Sequence, residues 1–194
     1  MATARLLLAS TSPRRCALLE RAGIEFSCVV PGPEPRGEGD PAACARQRAR
    51  SKAEGASLPP RLDAPVLGVD TVVEIDGIEL GKPKDRAAAA ATLARLSGRV
   101  HLVHSAHCLF DPRTNRRLER VATAEVRCAP LGAETLRRYL DSGQWKGKAG
   151  AYGIQDPEQD FMELVCGDLD TVIGLHVPSV VRLLAELRLG PSRS

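Results

Sequence analysis

Two short apolar runs, far apart in the chain, break off abruptly in polar and charged groups. Leu6-Leu7-Leu8-Ala9 runs into Ser10-Thr11-Ser12-Pro13-Arg14-Arg15, and Val66-Leu67-Gly68-Val69 runs into Asp70-Thr71 before Val72-Val73. Runs of this length suit buried strands, and polar groups at strand carboxyl ends mark the ligand-binding edge of an α/β sheet. Pro13 in a first helical turn, with Ser12 placed to cap it, predicts a helix over 13–22 closed by Gly23. Residues 24–30 read as a second strand, residues 31–40 as a mobile loop rich in Pro and Gly that could serve as a lid, and residues 41–56 as a helix with Lys52 in its later part. Residues 66–75, the pair Asp76-Gly77 and residues 78–80 predict a strand, a tight turn and a short return strand. Gly81-Lys82-Pro83 follows directly. An Ala-rich helix is predicted over 85–97, antiparallel strands over 101–110 and 117–129 joined by a turn at 111–115, and a helix over 132–141 ended by Ser142-Gly143. A Gly-rich stretch at 147–155 precedes short runs at 161–165 and 171–175, and residues 178–189 close the chain as an amphipathic helix.

Composition narrows the functional classes. With 194 residues, 43% of them hydrophobic, the chain buries enough core for a single domain of two closely packed lobes spanning 1–194. The net charge of +3 comes from basic residues spread along the chain, and aromatics make up 3%, so a nucleic-acid-binding module has neither a basic arm nor a stacking platform. Six cysteines, Cys16, Cys28, Cys44, Cys108, Cys128 and Cys166, form no C-x-x-C pair and no zinc spacing, and they read as reduced, mostly buried thiols. Arg5 precedes three leucines, too few for a signal sequence, and no apolar run approaches the roughly 20 residues of a membrane span. A soluble cytoplasmic protein with no membrane partner is expected.

Two clusters carry candidate chemistry. Ser10, Thr11, Ser12, Arg14 and Arg15, at a turn from strand into helix, combine hydroxyls, free N–H groups and two guanidinium groups, a natural polyphosphate cradle; the alternative is an ordinary N-cap with two solvated arginines. Asp70, at the end of a buried run, needs a partner, and Lys82 lies just across the hairpin. Such a pair beside a phosphate cradle can hold a divalent cation and orient a water, or it can be a structural ion pair. His101, His104 and His107 recur at intervals of three, which on a strand sends neighbours to opposite faces and speaks against a three-histidine metal site. Tyr152 and Trp145 read as packing residues, Lys146 as surface, and Lys148 as either surface or part of an outer phosphate funnel.

The set of motifs resembles the Maf family of nucleoside triphosphate pyrophosphatases. The matching residues are Ser10-Thr11-Ser12-Pro13-Arg14-Arg15, Lys52-Ala53, Asp70-Thr71-Val72-Val73, Gly81-Lys82-Pro83, Leu96-Ser97-Gly98 with His101, and Lys148-Ala149-Gly150-Ala151-Tyr152-Gly153-Ile154-Gln155, in the family's order. Gly174-Leu175 fits the family's closing strand-to-helix segment. The resemblance implies an α/β fold of the Maf and inosine-triphosphatase-like type, an elongated mixed sheet flanked by helices with a cleft between two lobes. It implies cleavage of a nucleoside triphosphate between the α and β phosphates, dependence on Mg2+ or Mn2+, a homodimer, and catalytic roles for Asp70, Lys52 and Lys82. Substrate binding falls to Ser10, Ser12, Arg14, Arg15, Thr71 and Gln155, and metal binding to Asp70 and Glu34.

Arginine, threonine and glutamine at Arg14, Thr71 and Gln155 match the family members that prefer dTTP and UTP over 7-methyl-GTP. A glutamine amide offers a pyrimidine edge both a donor and an acceptor, whereas glutamate offers acceptors only. Clearing modified pyrimidine nucleotides, a house-cleaning role, fits such a substrate class. One departure stands out: where relatives carry an acidic pair, Pro33-Glu34-Pro35 supplies one carboxylate, with Glu38 and Asp40 the nearest substitutes. That departure, together with the family's link to septum formation, prompts a second reading, a catalytically weak nucleotide-binding regulator of cell division.

Overall fold

The computed structural model describes residues 6–37, 39–58 and 64–189. The elements run β1 (Leu7–Ala9), α1 (Pro13–Arg21), β2 (Ser27–Val29), α2 (Pro41–Glu54), β3 (Val66–Ile75), β4 (Ile78–Leu80), α3 (Arg86–Leu96), β5 (Val100–Asp111), β6 (Arg116–Cys128), α4 (Ala133–Ser142), a 3-10 turn (Ala149–Ala151), β7 (Met162–Cys166), α5 (Leu169–Ile173) and α6 (Val177–Leu189). The strands form one seven-stranded mixed sheet in the order β2-β1-β3-β5-β6-β7, with β4 added on β3. β1 is parallel to β2 and β3, and the remaining pairs are antiparallel. This is the mixed α/β architecture that the sequence leads one to expect.

Local chemistry accounts for the boundaries. Pro13 starts α1 and Gly23, at φ +66°, follows its end. Asp40 and Asp85 cap α2 and α3 by accepting from the N–H groups of Ala43 (2.8 Å) and Ala88 (2.7 Å). Asp76 and Gly77 both take positive φ, +54° and +72°, the turn that twists correctly for a two-residue hairpin.

Two expectations need correction. The second strand is limited to Ser27–Val29 because β1 offers three residues to pair with, and the Ile24 N–H turns back to the Leu19 carbonyl. The run at 171–175 falls at the end of the short helix Leu169–Ile173, which stops at Gly174 and passes into α6. The first part of the loop expected at 31–40 is strapped along α2: Ser51 donates to the Pro33 carbonyl at 2.8 Å, the Gly32 N–H to the Lys52 carbonyl at 3.1 Å, and Arg48 Nε to the Pro35 carbonyl at 3.4 Å.

β3 organises the molecule. One of its edges pairs with β5 continuously from Val66 to Glu74. The other pairs with β1 along Val66–Gly68 and with β4 along Val73–Ile75, which leaves 69–72 without a strand partner on that edge. The core divides at the same point. On one face Leu67 and Val69 pack with α1 and α6, and Val73 and Ile75 pack with α3 and α4, with Thr71 between the two clusters. On the opposite face Val66 and Val72 pack against Ala45, Ala49 and Ala53 of α2, with Asp70 between them. Small residues at every fourth position let α2 lie close on the sheet. Gly68 completes the fit, since a Cβ there would sit 2.1 Å from the Ala49 carbonyl oxygen.

β5 carries three buried histidines. His101 shares a 2.7 Å hydrogen bond with the Tyr152 hydroxyl, and His107 Nε2 accepts from the His176 N–H at 3.0 Å. His104 points to the opposite face, between Glu74 and Thr123 at 2.7 and 2.9 Å.

Two stability predictions follow from this packing. Gly68→Ala should lower stability by about 2–3 kcal/mol through overpacking of α2 on β3, measured as a reduced urea midpoint. Burial also holds His101 down to about 4 and His107 to about 3, from 6.5. With the folded values depressed, the unfolded chain takes up protons first as pH falls. Stability is therefore intact above pH 6.5 and declines through the window from 6.5 down to 4 for His101 and 3 for His107. His101→Gln, which keeps a partner for Tyr152, should flatten the slope of unfolding free energy against pH by about 1.4 kcal/mol per unit within that window.

Candidate active site

The open stretch of β3 floors a cleft of about 350 Å³. Six segments converge on it: the turn after β1 carrying Ser10, Ser12, Arg14 and Arg15; Glu34 from the strapped loop; Lys52 from α2; Asp70 and Thr71 from β3; Lys82 after β4; and Gln155 from the Gly-rich loop. All ten residues singled out from the sequence line this one cleft. With Lys146 and Lys148 added, it presents six cationic side chains against the two carboxylates of Glu34 and Asp70, a field suited to polyphosphate.

On the α2 side a buried charge cluster surrounds Asp70. Lys52, 5% exposed, donates to Asp70 Oδ1 at 2.6 Å and reaches Glu34 Oε1 at 2.5 Å. The hydrogen bond from Lys52 is the main cause that holds the Glu34 carboxyl below its usual range. The ion partner of Asp70 is thus Lys52, whereas Lys82, expected across the hairpin, lines the cleft with no hydrogen bond or ion pair among the described residues, acting on Glu34 only through its charge. Arg48 grips Glu79 in a bidentate pair at 2.6 and 3.0 Å and stands 3.7 Å from Asp70 Oδ2. Asp70 Oδ2 is buried and has no hydrogen-bond partner among the described residues.

That orphaned oxygen bears on a metal. Asp70 and Glu34 both reach one lysine nitrogen, so two carboxylates meet at the cleft, and no cluster of three or more ligating side chains exists among the described residues. Two carboxylates fit a Mg2+-like ion, which takes its remaining ligands from substrate phosphates and water. Of the other acidic residues in the loop, Asp40 is committed to capping α2 and Glu38 lies outside the described residues.

On the opposite face Arg15 is locked into the protein. Its Nε donates to the Gly174 carbonyl at 2.8 Å, one terminal nitrogen to Ser10 Oγ at 3.2 Å and the other to Thr71 Oγ1 at 3.2 Å. Burial lowers the pKa of Arg15 while Asp70 opposes the shift. Thr71 in turn donates to the Gly174 carbonyl at 3.1 Å and contacts Ser105 at 3.1 Å. The Ser12 side chain does not cap α1, contrary to expectation; Ser10 Oγ instead accepts the Ser12 N–H. Among the described residues the side chains of Ser12, Arg14 and Gln155 make no hydrogen bond or ion pair, which leaves them free at the cleft.

The loop that bears Gln155 depends on its neighbour. Asp156 accepts from the Gly153 N–H at 3.0 Å and from the Tyr139 hydroxyl at 2.9 Å, and it pairs with Lys148. Neither Asp156 nor Arg48 is apparent as a site residue from the sequence. A signal exists for each: Arg48 precedes Lys52 by four residues and so shares its helix face, and Asp156 is the carboxylate that directly follows the Gly-rich stretch.

The profile of the Maf-like protein family matches residues 5–187. The chain belongs to the Maf family. Its curated relatives include the dTTP/UTP pyrophosphatase of Thermus thermophilus, 45% identical with 92% of each chain covered, and that of Bordetella pertussis, 44% identical with 93% of this chain and 91% of the relative covered. The dTTP/UTP pyrophosphatase of Thermococcus gammatolerans is 39% identical, with 92% of this chain and 94% of the relative covered. In this Maf chain no helix among the described residues is long and apolar enough to cross a membrane.

The anchoring of the Gln155 loop is open to test. Asp156→Asn should release Lys148 and loosen the loop, costing about 1–3 kcal/mol and raising amide hydrogen exchange at 148–155 while α2 stays protected.

Proposed function

We propose that the chain hydrolyses dTTP and UTP to the monophosphate and pyrophosphate, acting in the house-cleaning of normal and modified pyrimidine nucleotides. The observation that carries the reading is Asp70: one carboxylate oxygen held by a buried lysine, the other near Arg48 but without a hydrogen bond among the described residues, at the floor of a cleft rich in cations. The relatives named for this activity cover more than nine-tenths of the chain.

In this mechanism the triphosphate lies along the cleft, its phosphates met by Ser10, Ser12, Arg14, Arg15, Lys52 and Lys82. Asp70 accepts a proton from a water that attacks the α phosphorus, and the bond from that phosphorus to the α–β bridging oxygen breaks as pyrophosphate departs. Lys52 and Lys82 offset the charge that builds on the phosphoryl oxygens. Asp70 and Glu34 would hold the divalent cation, Mg2+ or Mn2+, which when bound supplies charge neutralisation at the phosphates. At the far end of the cleft Gln155 offers its amide to the pyrimidine edge, and Thr71 sets the position of Arg15.

The regulator reading is less well supported. Glu34 reaches Lys52 despite the adjacent proline, and the Pro35 carbonyl takes a bond from Arg48, so the altered loop still delivers a carboxylate to the cleft. The reading also includes a cytoplasmic homodimer, for which light scattering should give about twice the 20.8 kDa chain mass.

A turnover panel of the common nucleoside triphosphates and 7-methyl-GTP, with separate detection of pyrophosphate and orthophosphate, tests the proposal. Expected is pyrophosphate release from dTTP and UTP that is abolished by chelator, with 7-methyl-GTP a poor substrate. Asp70→Asn should cut kcat by at least about 10²-fold with an unchanged fold. Tight dTTP binding without release of either product would instead favour the regulator.

A further inference from the structure

Cys16 and Cys28 come from different elements, α1 and β2, yet their sulfurs stand 3.5 Å apart. The expectation of mostly buried thiols holds for Cys44, Cys108 and Cys128; Cys28 and Cys166 are exposed and Cys16 half-buried. Both members of the close pair line an apolar groove of about 650 Å³ with Pro13, Ala17, Val29 and Val30, which gives a small oxidant a path to them. No nearby group of three or more ligating side chains makes this a metal site among the described residues.

We propose that Cys16 and Cys28 form a reversible intramolecular disulfide, a modification site that ties α1 to β2 directly behind the phosphate-binding turn. A disulfide needs its sulfurs about 2.05 Å apart, so the elements close by roughly 1.5 Å. With hydrogen peroxide as oxidant, exposed Cys28 is converted to the sulfenic acid as the O–O bond breaks and one water leaves. Cys16 sulfur then attacks the sulfenic sulfur, the S–S bond forms, and the S–O bond breaks, its hydroxyl leaving with the Cys16 proton as a second water. Two thiols lose two electrons and the peroxide gains both; a dithiol reductant returns them. Burial and the neighbouring thiol push Cys16 up to about 11, so closure accelerates as pH rises towards that value. Cys16 directly follows Arg14 and Arg15 in α1, so closure shifts both guanidinium groups relative to Asp70 and Gly174. This functional consequence rests on the pyrophosphatase reading; the bond itself does not.

The test is peroxide treatment of the purified chain, alkylation of the remaining thiols, and non-reducing tryptic mapping. Expected is peptide 16–21 joined to peptide 22–36, with two of the six thiols lost and both restored by dithiothreitol. Cys16→Ser should abolish the link and leave a sulfenic acid on Cys28 that dimedone traps. Both peptides separately alkylated, or Cys28 found only in bonds between chains, would overturn the proposal. In bridged protein the KM for dTTP should rise at least about threefold and recover on reduction. An unchanged KM in fully bridged protein would overturn the link to the nucleotide site, and absence of turnover in the reduced protein would reject the pyrophosphatase reading without touching the bond.

Discussion

The site depends on how the two edges of β3 are paired. One edge is satisfied along its length by β5; the other is shared between a parallel strand and an antiparallel one that cannot meet. β1 must stop at Ala9 because its chain turns into α1, and β4 must stop at Leu80 because Gly81 leads it away. The stretch between them lacks a strand partner on one side while the strand continues, buried, on the other. Ligand chemistry can therefore reach both faces of one strand at successive residues. Asp70 meets α2 and Lys52, and Thr71 meets Arg15.

The electrostatics follow from that exposure of a buried strand. A carboxylate among apolar side chains is costly unless paired, and Lys52, itself buried, supplies the partner. The pair is possible only because α2 approaches the sheet over alanines and Gly68, so packing and charge depend on each other. Asp70 nevertheless keeps one oxygen without a hydrogen bond among the described residues, and a buried orphan acceptor is a defect in a purely structural ion pair. In a site that takes up a cation or a water at that point, it is a docking position.

Much of this is legible in the amino-acid sequence because the determinants are local. Pro13, Asp40, Asp85 and the Asp76-Gly77 turn each place a boundary through chemistry confined to a few residues. The interruption of β3 by Asp70-Thr71 is visible as a break in an apolar run. What the sequence does not disclose is pairing across distance. That Lys52 rather than Lys82 binds Asp70, that Arg48 bridges Glu79 to the acidic loop, and that Cys16 meets Cys28 all follow from the placement of α1 and α2 on the sheet. Residues 171–175 were ambiguous for a related reason: five apolar-leaning residues suit a strand or a helical turn, and neighbours decide between them.

The arrangement also separates two roles that the residue pattern alone merges. Thr71 Oγ1 accepts from Arg15, donates to the Gly174 carbonyl and has Ser105 as its third partner, which exhausts one donor and two acceptors. No capacity remains for a nucleobase. A larger amide at this position would have to displace the bridge that orients Arg15, so the identity of residue 71 bears on where the Arg15 guanidinium sits. Gln155, by contrast, lines the same cleft with its amide uncommitted, held in place from behind by Asp156. On the pyrophosphatase reading, Gln155 is thus the residue with a free amide to offer a base, while Thr71 is spent on holding Arg15 in place.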